Sequence, residues 1–388
     1  MQRDAFRVSS RTLRGRAGFA ALALVLAACS GGGSDGAGAP SAAGAAGAST
    51  GGSAGALGGS GGGAAATSSG GSAGALGGSG GSSGGAAGDA SGGSGGMAGS
   101  VSATCFPIQE GTSKVRVDGK TRDFLVQLPS DTSKPMALLF LWHGWLQAPA
   151  DFQKGIVYDV PLGKWVPFDP DAFPMPLMIV TPSDQKLIPP WGLDWDIVTG
   201  EKDFAYFQAI LQCIEDEYDL DWSRLYSFGF SAGAVFTSLL VSKFPKLFAA
   251  TVHESGMWLN DPPEQSDITG GFIMSWKWPA LDPADRGSAL LTHGGDGSRG
   301  PKDFATVADL FSANQKALPF LHTNGRTVLE CEHGFGHTLD PDLTQAMYYE
   351  YLWAHRAGGP PLTAMPSDFP RAPDHVVGST FCTFHPAP

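Results

Sequence analysis

The sequence predicts an α/β fold, a mostly parallel sheet with helices packed on both faces. Two observations predict it. Continuous apolar runs of strand length recur between residues 136 and 331, the pattern of strands covered on both faces. Segments with apolar residues three or four apart alternate with those runs, as helices that carry the chain between parallel strands require. A third, local observation agrees: the run ending in Gly229-Phe230-Ser231-Ala232-Gly233 passes directly into the helix-like stretch 235–244.

The elements follow in order. Residues 113–128 read as a hairpin about Asp118-Gly119, a pair suited to a type I′ turn. Residues 136–142 and 176–181 are continuous apolar strands. Residues 202–218 have helical spacing through Phe204, Phe207, Ile210, Leu211 and Ile214. Residues 223–228 form the strand before Ser231, and 247–252, 288–292 and 326–331 are later strands. Helical patterns at 304–317 and 341–355 separate or follow them. In such sheets ligands bind beyond the C-terminal strand ends.

The first hundred residues are of another kind. Arg3, Arg7, Arg11, Arg14 and Arg16 precede a short apolar core, 18–28, too short to span a bilayer as a mature helix. It ends in Leu26-Ala27-Ala28-Cys29, which resembles the lipobox of bacterial lipoproteins. That resemblance implies a signal peptide over 1–28, cleavage before Cys29 and lipidation of its sulfur. Ser30 rather than Asp after the cysteine implies outer-membrane sorting in a Gram-negative cell; a plain secretory signal would export the protein as well. Residues 29–100 are almost entirely Gly, Ser and Ala, and GGSAGALGGSGG occurs at Gly51 and again at Gly70. Such a segment is expected to be a disordered tether, with a reach of about 45 Å for roughly 70 residues. Its many G-x-G-x-x-G strings follow no strand and are not nucleotide sites.

Residues 101–388 suit one catalytic domain with a large core. The whole chain carries 25 basic and 37 acidic residues, a formal charge of −12. A chain starting at Cys29 would carry −16, which argues against nucleic acid or anionic lipid as a partner. Membrane contact is then expected through the lipid alone, and the protein is expected to act as a monomer. Besides Cys29 there are Cys105, Cys213, Cys331 and Cys382. In an exported protein these suggest two disulfides, with three pairings open. None has the spacing of a zinc site, and no metal or organic cofactor is expected.

The chemistry-bearing residues cluster after predicted strands. Gly229-Phe230-Ser231-Ala232-Gly233 is a G-x-S-x-G nucleophile elbow in its strand–turn–helix setting, with Ser231 as nucleophile. A serine hydroxyl needs an adjacent base. His337, in Glu332-His333-Gly334-Phe335-Gly336-His337, is the expected base, with His333 its competitor. Asp296, in His293-Gly294-Gly295-Asp296-Gly297, is the expected acid; Asp303 and Glu254 compete. Ser231, Asp296 and His337 then follow the chain order of a nucleophile-elbow triad. The amides of Ala232 and Trp145 are the expected oxyanion hole, Trp145 lying just after the strand that ends in Trp142-His143-Gly144. Trp145, Trp191 and Trp195 are candidate walls of an acyl pocket. Asp194 and Asp196 are read as ordinary solvated acids.

With these residues in place, the domain resembles the secreted polyhydroxybutyrate depolymerase and feruloyl esterase group of α/β-hydrolases. Stretches 138–144, 221–233, 291–296 and 331–337 carry the resemblance over about 200 residues, in the group's order. It implies an α/β-hydrolase fold and cleavage of carboxylic esters without a metal or organic cofactor. It makes Ser231 the nucleophile, Asp296 the acid and His337 the base. The chain departs from the group's pattern at Ala234, where a second Gly is usual. It departs again in the His293–Asp296 spacing, one residue short, and at Leu339, where Trp or Pro is common. The loop after His143-Gly144 also lacks the usual small residues. The expectation is an exported, membrane-tethered serine esterase acting on an ester, polymers included. The alternatives are a non-catalytic lipoprotein of the same fold that binds a glycan or polymer, and an acyltransferase or peptidase with the same triad.

Overall fold

The structure, a computed structural model, describes residues 101–185, 194–197, 201–258, 278–305, 308–371 and 379–388. The expected leader and tether, Cys29 and Trp191 lie outside the described residues. Among these, ten strands form one sheet: β1 (Ala103–Cys105), β2 (Gly111–Val117), β3 (Lys120–Gln127), β4 (Met136–Trp142), β5 (Leu177–Pro182), β6 (Leu220–Phe230), β7 (Ala250–Glu254), β8 (Ser288–His293), β9 (Thr327–Glu332) and β10 (Phe381–His385). Their spatial order is β1-β2-β3-β5-β4-β6-β7-β8-β9-β10. The strands from β5 to β9 run parallel. Antiparallel strands close both edges. The helices are α1 (Pro149–Lys154), α2 (Glu201–Glu217), α3 (Ala232–Lys243), α4 (Leu310–Thr323) and α5 (Gln345–Trp353).

The continuous apolar run of β4 serves two layers at once. Side chains alternate across a strand, so Met136, Leu138, Phe140 and Trp142 pack with Phe204 and Phe207 of α2 and Phe236 and Leu240 of α3. Ala137, Leu139 and Leu141 pack on the other face, with Phe152 of α1 and Tyr348 and Leu352 of α5. Helix α3 is buried from Gly233 to Ser242. A helix enclosed on all sides must satisfy its polar side chains internally. Ser238 and Ser242 do so by donating to the carbonyls of Ala234 and Ser238, at 3.2 and 3.0 Å.

The hairpin turns at Asp118 (φ 50°) and Gly119 (φ 74°), as its sequence requires. The expected helix 304–317 begins later, at Leu310. Phe304–Ala305 pairs with Ala308–Asp309 instead, and the Asp309 carboxylate caps the helix by accepting Ser312 N–H at 3.0 Å. Helix α5 likewise starts after its cap, Thr344, rather than at 341.

Strands β1 and β10 carry no clear apolar signal and were not expected. Disulfides hold both: Cys105 of β1 joins Cys213 of α2, and Cys331 of β9 joins Cys382, its register partner on β10. The second bond closes a separation of 51 residues. Replacing Cys331 and Cys382 together by Ala is expected to lower the unfolding free energy by about 2–5 kcal/mol. Urea denaturation measures this, and an unchanged midpoint would refute the structural role.

From β4 the chain goes to one side to form β5, then returns to place β6 on the other side. Loops leaving β4 and β6 therefore diverge, opening the crevice in which doubly wound sheets bind ligands. Ser231 stands at its edge, directly after β6.

Candidate active site

Ser231 is the N-cap residue of α3, with φ 53° and ψ −118°. This backbone region costs an L-residue roughly 1–3 kcal/mol. The surrounding packing enforces it. A Cβ on Gly229 would fall 2.3 Å from the carbonyl oxygen of Gly233, and one on Gly233 would fall 2.0 Å from that of Trp142. The two glycines thus let the turn close on itself and against the end of β4. Ala234 fits because Gly256 faces it: a Cβ there would meet the Ala234 methyl at 2.4 Å. The departure at 234 is compensated on the neighbouring strand's exit.

His337 Nε2 lies 2.9 Å from Ser231 Oγ, and His337 Nδ1 lies 2.9 Å from Asp303 Oδ1. The imidazole stacks on Phe230, with ring centroids 5.1 Å apart. Asp303 is fully buried, and its other oxygen accepts Gly294 N–H at 3.1 Å. The loops that bring these groups together touch backbone to backbone. A Cβ on Gly294 would sit 2.3 Å from the Gly336 carbonyl, and one on Gly300 would sit 1.8 Å from that of Gly334. The glycines around His337 therefore serve close approach of two loops.

The structure corrects the sequence reading of the acid. Asp296 is exposed at the tip of a turn between Gly295 (φ 86°) and Gly297 (φ 95°). Its carboxylate accepts Ser298 N–H at 2.7 Å, and hydrogen bonds from Ser298 hold its pKa below the usual value. Asp-Gly beside another Gly turns the chain outward; seven residues later the chain returns, and Asp303 N–H bonds the Gly295 carbonyl at 3.1 Å. Asp303, the competing candidate, is the carboxylate that meets His337 Nδ1, and the chain order Ser231, Asp303, His337 is the expected one. His333 is fully buried. Its Nδ1 accepts Phe335 N–H at 3.1 Å, and burial pushes its pKa down to about 3.

Trp195 is a second correction. It is buried, stacks on Phe236 and meets Trp142 edge-on, and its indole N–H donates to the His143 carbonyl at 2.9 Å. It supports the loop after β4 from beneath rather than lining an acyl pocket. That loop, Gly144-Trp145-Leu146, lies against the elbow, since a Cβ on Gly144 would reach Phe230 at 2.8 Å. Trp145 is half-buried, and Leu146 has φ 62°. Asp194 is buried and accepts Leu146 N–H. Expected to be solvated, it instead fixes the strained turn beside Trp145. Leu146 and Phe335 are exposed, one on each loop. Neither loop had an apolar period that could have flagged them.

Glu254 ends β7 beneath Ser231, its backbone oxygen accepting Ser231 N–H at 2.9 Å. Its carboxyl group points away from His337, taking hydrogen bonds from Tyr348 OH at 2.7 Å, Asp340 N–H at 3.0 Å and the Thr292 hydroxyl. Glu254 is therefore a brace between β7, β8, α5 and the histidine loop. Burial raises its pKa from 4.5 to about 7. A raised acid pKa means that the native state binds the extra proton. Stability is thus greatest below pH 4.5 for this group and is lost as pH rises through about 7. Glu254→Gln is expected to remove that slope, worth on the order of 3 kcal/mol. Urea melts of parent and variant at pH 5 and pH 8 measure it, and equal slopes in both would refute the assignment.

No family profile matches the chain. Over 147 residues it is 31% identical to feruloyl esterase D of Neurospora crassa, covering 36% of this chain and 48% of that protein. The chain thus spans about half the length of that curated relative. Among solved structures, native pOPH superposes with a TM-score of 0.51 at 17% identity, covering 73% of this chain and 97% of that one. A pOPH variant in complex with DMSO gives 0.52 at 16%, covering 73% and 96%. At such identities the likeness speaks for the fold, and together with the parallel sheet and its strand order it shows that this chain has the α/β-hydrolase fold.

Proposed function

We propose that the protein is a serine esterase that hydrolyses carboxylic esters through Ser231, His337 and Asp303. The observation that carries this reading is the unbroken relay of 2.9 Å contacts from Ser231 Oγ through both imidazole nitrogens to Asp303. Ser231 Oγ attacks the ester carbonyl as its proton passes to His337 Nε2, while Nδ1–H donates to Asp303. The amides of Ala232, the first residue of α3, and Trp145 receive the developing oxyanion. The intermediate collapses, the alkoxide leaves with the proton from Nε2, and an acyl-Ser231 ester remains. Water, deprotonated by the same nitrogen, then releases the acid and restores the serine.

The partial likeness to a feruloyl esterase and the apolar Trp145, Leu146 and Phe335 around the site favour an acyl group with an apolar or aromatic body. The reading includes export on the signal 1–28, lipidation at Cys29 and action on polymer-borne esters. The two disulfides support an oxidising compartment. With Asp303 as the acid, the short spacing from His293 to Asp296 leaves the relay intact.

A fluorophosphonate probe tests the chemistry: the folded protein should be labelled at Ser231, and absence of labelling would overturn the proposal. A panel of feruloyl, acetyl and 3-hydroxybutyryl esters, with matched amides, ranks the substrates. For the anchor, Cys29→Ser should abolish palmitate incorporation and release the protein from membranes.

A further inference from the structure

The loop after β4 makes a turn from Gly144 to Gln147, closed by Gln147 N–H donating to the Gly144 carbonyl at 3.2 Å. Of its two central residues, Trp145 and Leu146, only Leu146 has a positive φ, 62°. That makes the turn type II, whose third residue is ordinarily glycine or asparagine. A leucine there is strained and favours the type I turn, in which the third residue has φ of about −90°. The two turns differ by a rotation of the central peptide, 145–146. The rotation exchanges the sides on which the Trp145 carbonyl and the Leu146 N–H lie.

Asp194 opposes that rotation, since its Oδ2 accepts Leu146 N–H. After rotation the Trp145 carbonyl would face the carboxylate instead, acceptor against acceptor. The leucine side chain is exposed and does not anchor the turn by burial. Asp194 is buried, and its neighbours fix it in place. The indole N–H of Trp195 donates to the His143 carbonyl at 2.9 Å, and Asp196 N–H donates to the Asp203 carboxylate at 2.6 Å. Asp203 is itself buried and bridged to Arg122 of β3 at 2.7 Å. At the start of the turn, Gly144 N–H donates to Gln147 Oε1 at 2.7 Å. The amides on either side of Trp145 N–H, those of Gly144 and Leu146, are thus each held by a side-chain acceptor.

We infer that Asp194 is a positioning residue for ester hydrolysis: it locks the turn at Leu146 and so fixes the Trp145 amide where the oxyanion forms. The inference rests on the esterase reading of Ser231 and on Trp145 as an oxyanion donor. Asp194 acts through the main chain of the loop rather than on the ester. An oxyanion forms in both acylation and deacylation, so a loosened loop slows both steps and leaves ground-state binding alone.

The experiment measures kcat and KM for p-nitrophenyl acetate on the full chain and three variants, with circular dichroism to check folding. Asp194→Ala should lower kcat about 10- to 100-fold, the scale of a catalytic group misplaced by about 1 Å, with KM held within about threefold. Adding Leu146→Gly to Asp194→Ala should restore at least about fivefold of the loss, because glycine takes a positive φ without a brace. Leu146→Pro removes the N–H, fixes φ near about −65° and leaves Asp194 in place. It should lose at least as much kcat as Asp194→Ala, and it decides the question if Asp194→Ala does not fold. A parent that neither hydrolyses the ester nor takes a fluorophosphonate at Ser231 would remove the esterase reading and this inference with it. With an active parent, full activity of Asp194→Ala or of Leu146→Pro would overturn the inference alone. So would a loss confined to KM, or no recovery when Leu146→Gly is added to folded Asp194→Ala.

Discussion

Ser231→Ala is expected to lower kcat for a p-nitrophenyl ester by about 10⁶-fold, the scale on which a triad fails when its nucleophile is removed. The fold should survive, because the hydroxyl's hydrogen bond in the relay is to half-exposed His337 rather than to the core. A second substitution at the same position separates chemistry from strain. Ser231 is held at φ 53°, a conformation that costs an L-residue roughly 1–3 kcal/mol and glycine much less. Ser231→Gly should therefore be as inactive as the alanine variant but at least as stable as the parent. The extra freedom of glycine in the unfolded chain, about 0.5–1 kcal/mol, offsets part of the relief. Urea unfolding and ester hydrolysis on the three proteins give both readings. Alanine variant activity at the parent rate would end the nucleophile assignment. A glycine variant less stable than the alanine variant would end the account of strain.

What was legible in the sequence were the features with local causes. The continuous apolar run set β4 as a strand buried on both faces, and Asp118-Gly119 set the turn between β2 and β3. The small residues around Ser231 set an elbow because only hydrogens fit at 229 and 233. The residues that were misread depend on long-range packing. Asp296 sits in good turn chemistry, and that same chemistry directs it to solvent. Asp303 reaches His337 only because Gly294 and Gly300 let two loops meet. Trp195 and Asp194 follow a different logic: in sequence they are an aromatic residue and an acid in a loop. In space they are a buried prop and a buried acceptor under Trp142-His143 and Leu146. Strands β1 and β10 are short edge elements, each pinned by a disulfide to another element as well as by strand pairing, and no local period encodes that bond.

Asp303→Asn is expected to lower kcat by about 10⁴-fold, the cost of holding the imidazole in the wrong tautomer, whereas Asp296→Asn should change it less than twofold. The reason lies in how Asp303 is held. Gly294 N–H donates to Oδ2, so an asparagine at 303 would turn its carbonyl oxygen to that amide. Its NH₂ group would then occupy the place of Oδ1, 2.9 Å from His337 Nδ1. Two donors cannot face each other, so Nδ1 would give up its proton and accept. The ring proton would move to Nε2, the nitrogen that must be free to take the proton of Ser231. The geometry of the site would survive and its base would not. Asp296, with its carboxylate folded onto Ser298 and open to water, has no contact through which to act on the ring. The outcome is a ranking of two carboxylates by one assay. A large loss for Asp296→Asn with full activity for Asp303→Asn would mean that the loops rearrange when substrate binds and that the relay seen here is not the working one.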